Sequence, residues 1–309
     1  MKKYSRLKDL SFNDIENLIN LIDDKFKESR NKRGRPRKYS DKFILVLLFY
    51  KTIHNLSFRD LRFFMIEIFG YSPAISTIHY RFSKLSISVL EELFNRIVSE
   101  LVGKEVELFI PDGTGFGYDG MYRLNWMRGK EIREVSSHVK TVVVVVRDKD
   151  GRDVVYRVST GPPYSDERRL VEPLIKRAGV RAKVVLADGL YGMGIKILKE
   201  FKEIGTKVIV PIKDGVWNRV RHPIRREVME IYKRERGIYK KRYIVEQVIG
   251  KVKNAYGRCE GARKLENAIK FVWMKFIAYN YWVLIRSYFI CRYLRGLWDI
   301  MAGSIVIIG

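Results

Sequence analysis

Tyr239-Lys240-Lys241-Arg242-Tyr243-Ile244-Val245-Glu246-Gln247-Val248-Ile249-Gly250-Lys251-Val252-Lys253 is the stretch on which the reading of the chain turns. Arg242, Glu246 and Lys253 follow Tyr239 at steps of three, seven and fourteen. At about 100° per residue, those steps put all four side chains on one narrow face of an α-helix. That face carries an aromatic hydroxyl, two cations and one carboxylate. Spacing alone leaves two readings open, an exposed helix laced with ion pairs and a functional row.

The pattern Y-x2-R-x3-E-x6-K, complete at Tyr239, Arg242, Glu246 and Lys253, resembles the signature helix of insertion-sequence transposases of the DDE type. The resemblance implies an RNase H-like domain in which Glu246 is the third metal-binding carboxylate. It implies that Tyr239, Arg242 and Lys253 contact DNA at the ends of the element. It also demands two Asp residues upstream, each at a strand end.

The sequence upstream can be read against that demand. Val106 to Pro111 reads as a strand ending in Asp112-Gly113-Thr114-Gly115. His138 to Val146 is a Val-rich run suited to a central strand. Arg152 to Ser159 is a third strand, reached through a hairpin turn at Asp148-Lys149-Asp150-Gly151. Ser165 is the expected cap of a helix through Arg177. Lys183 to Ala187 is a fourth strand ending in Asp188-Gly189, with Tyr191 following. Gly194 to Ile204 reads as helix and Lys207 to Ile212 as the fifth strand. Either Asp alone could be an ordinary turn residue. Their places in the RNase H-like order are those the resemblance requires.

That chemistry explains the residue types. Two Mg²⁺ ions about 3.5–4 Å apart can hold both oxygens of an in-line phosphodiester displacement, and Mg²⁺ prefers hard carboxylate oxygens. The resemblance implies Asp112 on both ions, Asp188 on one and Glu246 on the other, with Mn²⁺ able to substitute. Asp119 and Asp214 read as turn residues, Asp166 as the N-terminal cap of the helix after the third strand, and His138 as a core or rim residue. Between residues 213 and 238, Trp217 sits among Arg219, Arg221, Arg225, Arg226, Lys233, Arg234 and Arg236. Such a cluster suits a nucleic-acid channel, and packing explains Trp217 equally well.

Composition sets the partner. The chain has 309 residues, 47% hydrophobic and 31% charged, with a net charge of +25. A globular protein so basic implies a polyanion, nucleic acid before a membrane surface. Cys259 and Cys291 lack metal-type spacing, which suggests neither a disulfide framework nor a zinc site and fits a reducing cytoplasm. The first residues are too charged for a signal core. Ala268 to Ile290 is interrupted by Lys270, Lys275 and Arg286, which suits a core helix better than a membrane span.

The expected organisation is a helical DNA-binding domain over 1–102 and an RNase H-like α/β domain over 103–309, a mixed sheet flanked by helices. Helices are expected over 10–26, 40–50, 57–69, 72–85 and 89–101. The Gly70 break between two of them gives a helix-turn-helix outline with Ser76, Thr77, His79, Tyr80, Arg81 and Lys84 on the polar face. Residues 30–38 hold six cations in nine positions. There, Gly34-Arg35-Pro36 flanked by Arg37 and Lys38 resembles a minor-groove AT-hook; a solvated linker is the alternative. Residues 264–297 form a long aromatic-rich core helix or helix pair.

The expectation is a DNA transposase acting on double-stranded DNA, namely terminal inverted repeats and a target. It would be at least a homodimer when bound and nucleoid-associated in the cytoplasm. The rivals are a nuclease of the same fold that does not join strands, and a non-catalytic DNA-binding protein.

Overall fold

The computed structural model describes residue 7 and residues 9–23, 38–125, 132–212 and 222–305, without the side chains of 121–136 and 288–305. The arm residues Arg35 and Arg37, together with Asp214, Trp217 and residues 306–309, lie outside the described residues. Of the arm, Lys38 is described, with its ammonium 5.5 Å from the centre of the Tyr39 ring.

The N-terminal helices are α1 (Phe12–Asn20), α2 (Asp41–His54), α3 (Phe58–Phe69), α4 (Ile75–Lys84) and α5 (Ile87–Leu101). Ser11 and Ser57 close capping boxes with Asp14 and Asp60, and Ser40 caps α2 through the amide of Phe43. Gly70 ends α3 at φ 72°, a conformation that favours glycine. The α3–turn–α4 outline is therefore present. One member of the expected polar face is not available on it. Arg81 donates to the carbonyl of Tyr39 at 3.1 Å and pairs with Asp41, leaving its side chain 10% exposed. It ties α4 to the start of α2. Ser76, His79, Tyr80 and Lys84 are exposed.

The sheet has five strands in the order β3-β2-β1-β4-β5. They are β1 (Glu105–Asn125), β2 (Ile132–Arg147), β3 (Asp153–Gly161), β4 (Arg181–Leu186) and β5 (Gly205–Ile209). The first three pair antiparallel, and β4 runs parallel to both β1 and β5. Val142 to Val146 of β2 are completely buried, as expected for a strand covered on both faces. The hairpin turn forms as read, with Gly151 at φ 77° donating to the carbonyl of Asp148.

Helices follow as α6 (Glu167–Lys176), α7 (Ile195–Ile204), α8 (Pro223–Arg234), α9 (Arg236–Tyr239), α10 (Tyr243–Tyr256) and α11 (Leu265–Ile305). Asp166, not Ser165, caps α6, its carboxylate accepting from the amide of Arg168 at 2.9 Å. Ser165 instead donates to the carbonyl of Pro162 in the preceding turn.

Several element ends differ by a few residues from the sequence reading, β2 starting earlier at Ile132 and β5 spanning Gly205–Ile209, and two departures bear on the site. The first strand does not stop at Asp112 but runs on to Asn125. Gly113, Gly115 and Gly117 alternate along it, so one face bears no Cβ, and side chains of Glu167, His138 and Arg258 lie against that face. The continued strand pairs with β2 from Leu108 to Asn125 with one irregularity. Its other edge takes the turn after α10. Cys259 donates to Gly117, Asp119 donates to Ala262, and Gly261 donates to the carboxylate of Asp119 at 2.7 Å. Asp119 is thus a strand residue holding that turn. The second difference is in the signature segment. A 3-10 turn over Lys240–Arg242 separates α9 from α10, so the four marked residues do not share one regular helix.

α11 anchors both halves of the fold. It packs on α5, α2 and the sheet, and a continuous buried cluster runs from α1 through the strands to α11. Two of its lysines are buried as caps for other helices. Lys270 donates to the carbonyls of Phe82 and Ser83 at the end of α4. Lys275, 1% exposed, donates to those of Tyr256, Gly257 and Arg258 at 2.6, 2.8 and 2.7 Å. The last carbonyls of a helix lack internal partners, and the buried ammonium takes that of Tyr256, which ends α10, with those of the two residues after it. Burial pushes the pKa of Lys275 down to about 8. Lys275→Ala is expected to lower unfolding free energy by about 3 kcal/mol or more, since it orphans buried acceptors and leaves a cavity. Chemical denaturation measures this, and an unchanged midpoint would mean that water replaces the ammonium.

Candidate active site

The site is built where β1 passes from the hydrophobic core to its glycine-spaced half. Asp112 sits at that point, and its register partner on β2 is Val143. Arg242, in the 3-10 turn before α10, reaches Asp112 from 130 positions further along the chain, its Nη1 at 3.2 Å from Oδ1. Its other nitrogen donates to Oε1 of Glu246 at 2.5 Å. One guanidinium thus joins the two carboxylates. Tyr239, half-buried, hydrogen-bonds to Arg242 and has its pKa raised by burial. The broken helix still delivers Tyr239, Arg242 and Glu246 to one place, because the 3-10 turn advances the chain without reversing it.

Asp188 follows β4 on a turn. Its carboxylate accepts the amide of Gly189 at 2.7 Å, and its carbonyl accepts that of Tyr191 at 3.0 Å. It acts electrostatically on both Arg242 and Tyr239, so it faces the same group without a hydrogen bond to it. Lys253, the fourth signature residue, lies in the last turn of α10. Its ammonium lies 5.4 Å from the centre of the Phe116 ring, and burial lowers its pKa.

The electrostatics of Asp112 are those of an acid held against its charge. Burial pushes its pKa up to about 6. The Arg242 guanidinium opposes the rise, while Glu167 and Glu246 add to it. Burial also works against the charge of Arg242, yet Asp112, Tyr239 and Glu246 hold its pKa above the ordinary value.

Glu167 was not singled out in the sequence. It accepts from Tyr191 Oη and Lys140 Nζ, each at 2.7 Å, and packs on the backbone of Gly113. Burial, Glu167, Asp112 and Asp188 together raise the pKa of the Tyr191 phenol. The signal available was Gly at alternate positions after Asp112, which marks a strand face awaiting something bulky, rather than a turn. Asp166 acts as a cap, as read, and His138 lies at the rim with its ring against Tyr164.

Asp112 and Glu246 present hard oxygen donors to one shared positive group, which is the donor chemistry of a Mg²⁺ site. As the side chains stand, Arg242 supplies that positive charge. No group of three or more His, Cys, Asp or Glu that could hold a metal ion occurs among the described residues. Nor is any helix among them long and apolar enough to cross a membrane.

Residues 125–281 match the family described as "Transposase DDE domain", in which divalent metals are typical cofactors. An uncharacterized protein of Aquifex aeolicus (strain VF5) is 40% identical over 313 residues, spanning 96% of this chain and 97% of the relative. Among solved structures, a piggyBac transposase synaptic complex with hairpin DNA aligns with a TM-score of 0.47 at 9% identity. That alignment covers 91% of this chain and 73% of the other.

Proposed function

We propose that this chain, which belongs to the Transposase DDE domain family, cleaves the ends of a DNA element and joins the freed 3′ hydroxyl to target DNA. Asp112, Asp188 and Glu246 are the acids of the reaction in this reading. The observation that carries it is the meeting of Asp112 and Glu246, from distant parts of the chain, on the single guanidinium of Arg242. A partly buried acid whose pKa is raised, meeting a second carboxylate on one guanidinium, is the kind of group in which functional sites are enriched.

Water first breaks the bond between phosphorus and the 3′ oxygen at the element's end, leaving a 3′ hydroxyl. That hydroxyl then attacks a target phosphodiester and displaces the target's own 3′ oxygen, so one bond forms for each one broken. Mg²⁺, as two ions with Mn²⁺ able to substitute, is the proposed cofactor and would relieve charge on both oxygens. Arg242 is suited to a phosphate because its fork already takes two oxygen acceptors. Tyr239 adds a hydroxyl beside it. Lys253 meets the duplex further along, and Arg35, Arg37 and Lys38 track the backbone or the minor groove. Double-stranded terminal repeats and target DNA are the partners, with at least two copies of the chain on a pair of ends.

The test is incubation of linear end DNA with the protein and Mg²⁺ or Mn²⁺. Cleaved ends and strand-transfer products support the proposal. Cleavage without joined products would favour a nuclease, and binding without cleavage would favour a non-catalytic protein. Lys253→Ala is expected to weaken DNA binding across sequences and to reduce the salt slope by about one unit. Fluorescence anisotropy over a salt series measures it, and an unchanged slope would remove Lys253 from the phosphate contacts.

A further inference from the structure

We propose that Glu167 is a positioning residue of this site, its carboxylate setting the distance between the Asp112 strand and the Asp188 turn. The inference rests on the reading of Asp112 and Asp188 as reaction-site acids.

Four elements converge on this one side chain. Glu167 opens α6. Its Oε1 takes the hydrogen bond from Tyr191 Oη and its Oε2 the one from Lys140 Nζ. Lys140 lies on β2 opposite Gly115, three residues beyond Asp112. Tyr191 is completely buried, and its own amide is bonded to the carbonyl of Asp188. Burial confines the ring and the backbone bond ties its residue to Asp188, so the phenol links Glu167 to the Asp188 turn. On the remaining side the carboxylate rests on Gly113, directly after Asp112. A Cβ built there would lie 2.0 Å from Oε2 and 2.6 Å from Oε1.

The carboxylate is thus a spacer with a fixed seat on β1 and a fixed hydrogen bond into the turn after β4. It is 15% exposed. An acid so enclosed is stabilised by an ammonium, a phenol and the positive end of α6. Only glycine at 113 leaves room for it. A shorter or neutral side chain at 167 would leave Tyr191 Oη and Lys140 with weakened or absent acceptors. Groups that orient reacting side chains from one layer out typically change metal affinity or activity by about 10–100-fold.

Gly113→Ala is the sharpest probe. The three heavy atoms nearest the added methyl all belong to the Glu167 carboxyl group at the end of its side chain, and the backbone at 113 does not have a positive φ. The expected result is a retained fold with the Glu167 carboxylate displaced from its seat, checked by circular dichroism and thermal unfolding. Glu167→Ala and Tyr191→Phe remove the two ends of the same link, and Glu167→Gln keeps an acceptor for Tyr191 and should be milder. Two readouts apply: kcat and KM for cleavage of end DNA, and Mn²⁺ binding to the DNA-free protein followed by electron paramagnetic resonance.

Gly113→Ala and Glu167→Ala should each lower kcat by about 10–100-fold and weaken Mn²⁺ binding by about tenfold, with KM for DNA within about twofold of the parent. Parental kcat in Gly113→Ala, or a loss confined to KM, overturns the inference. If Glu167→Ala does not fold, Gly113→Ala decides alone. Asp112→Asn is run alongside. Cleavage retained in that variant removes the site reading and this inference with it, whereas an inactive Asp112→Asn beside fully active Gly113 and Glu167 variants removes only the inference.

Discussion

Asp112→Asn should abolish cleavage of end DNA, by at least about a thousandfold, and at the same time make the metal-free protein more stable at pH 7. The first effect corresponds to a loss of about 4 kcal/mol of transition-state stabilisation. The second follows from the raised pKa. Asp112 moves from an ordinary 3.8 up to about 6, so the folded state prefers the neutral acid. The folded chain then holds a proton that the unfolded chain releases earlier. Stability contributed by the neutral form is fully present below about pH 4 and is lost as pH rises through 6. A shift of about two units amounts to about 3 kcal/mol as an upper figure. Asn copies the neutral acid and should recover much of this at pH 7, and its stability should be flatter between pH 4 and 7. Denaturation in EDTA across that range is the measurement. A parent whose stability does not fall over this interval, or an Asn variant no more stable than the parent at pH 7, would mean that the charge of Asp112 costs the fold nothing. An acid that weakens the fold and is indispensable for cleavage is what a reaction site retains against stability.

Much of this architecture could be read from patterns that depend on local physics. The Val142–Val146 run is apolar without alternation, and it lies fully buried on β2, an interior strand of the sheet. Ser40, Ser57 and Gly70 mark helix ends by capping chemistry that needs nothing beyond the neighbouring residues. What escaped depends on distant parts of the chain. The extension of β1 past Asp112 is stabilised by pairing with β2 and by the turn after α10, and Gly113, Gly115 and Gly117 look locally like a turn. The 3-10 interruption at Lys240–Arg242 carries no Pro or Gly to announce it. Glu167 was hidden beside Asp166, because a cap signal at one position explains a helix start and draws no attention to the next. Arg81 looked like a free cation until Asp41, forty positions away, took it. In the site itself, residue types and order were legible, while the pairing of Arg242 with both acids was not, since spacing along a helix does not say which way a long side chain turns.

That pairing leads to the other large effect. In the metal-free protein Arg242 is the only described cation hydrogen-bonded to both Asp112 and Glu246, so a divalent ion approaching those oxygens has a guanidinium to displace. Arg242→Ala therefore leaves both carboxylates without the counter-charge they share. Breaking a buried pair by removing one partner costs about 3–5 kcal/mol. Glu246 is 55% exposed, so solvent screening reduces the figure, and about 2 kcal/mol is expected in EDTA at pH 7. Added Mg²⁺ should close most of that gap, because an ion bound to the folded state alone stabilises it by mass action. Mn²⁺ should bind the DNA-free variant about tenfold more tightly than the parent, while cleavage falls through loss of the phosphate contact. Arg242→Lys separates charge from geometry: an ammonium keeps the charge but lacks the planar fork that reaches two carboxylates, so it should restore only part of the stability. Calorimetric titration with Mn²⁺ decides the matter. Equal affinity in parent and Arg242→Ala would show that the guanidinium does not hold the place of a metal. Tighter binding would give Arg242 two successive partners, the acids before DNA arrives and a phosphate afterwards.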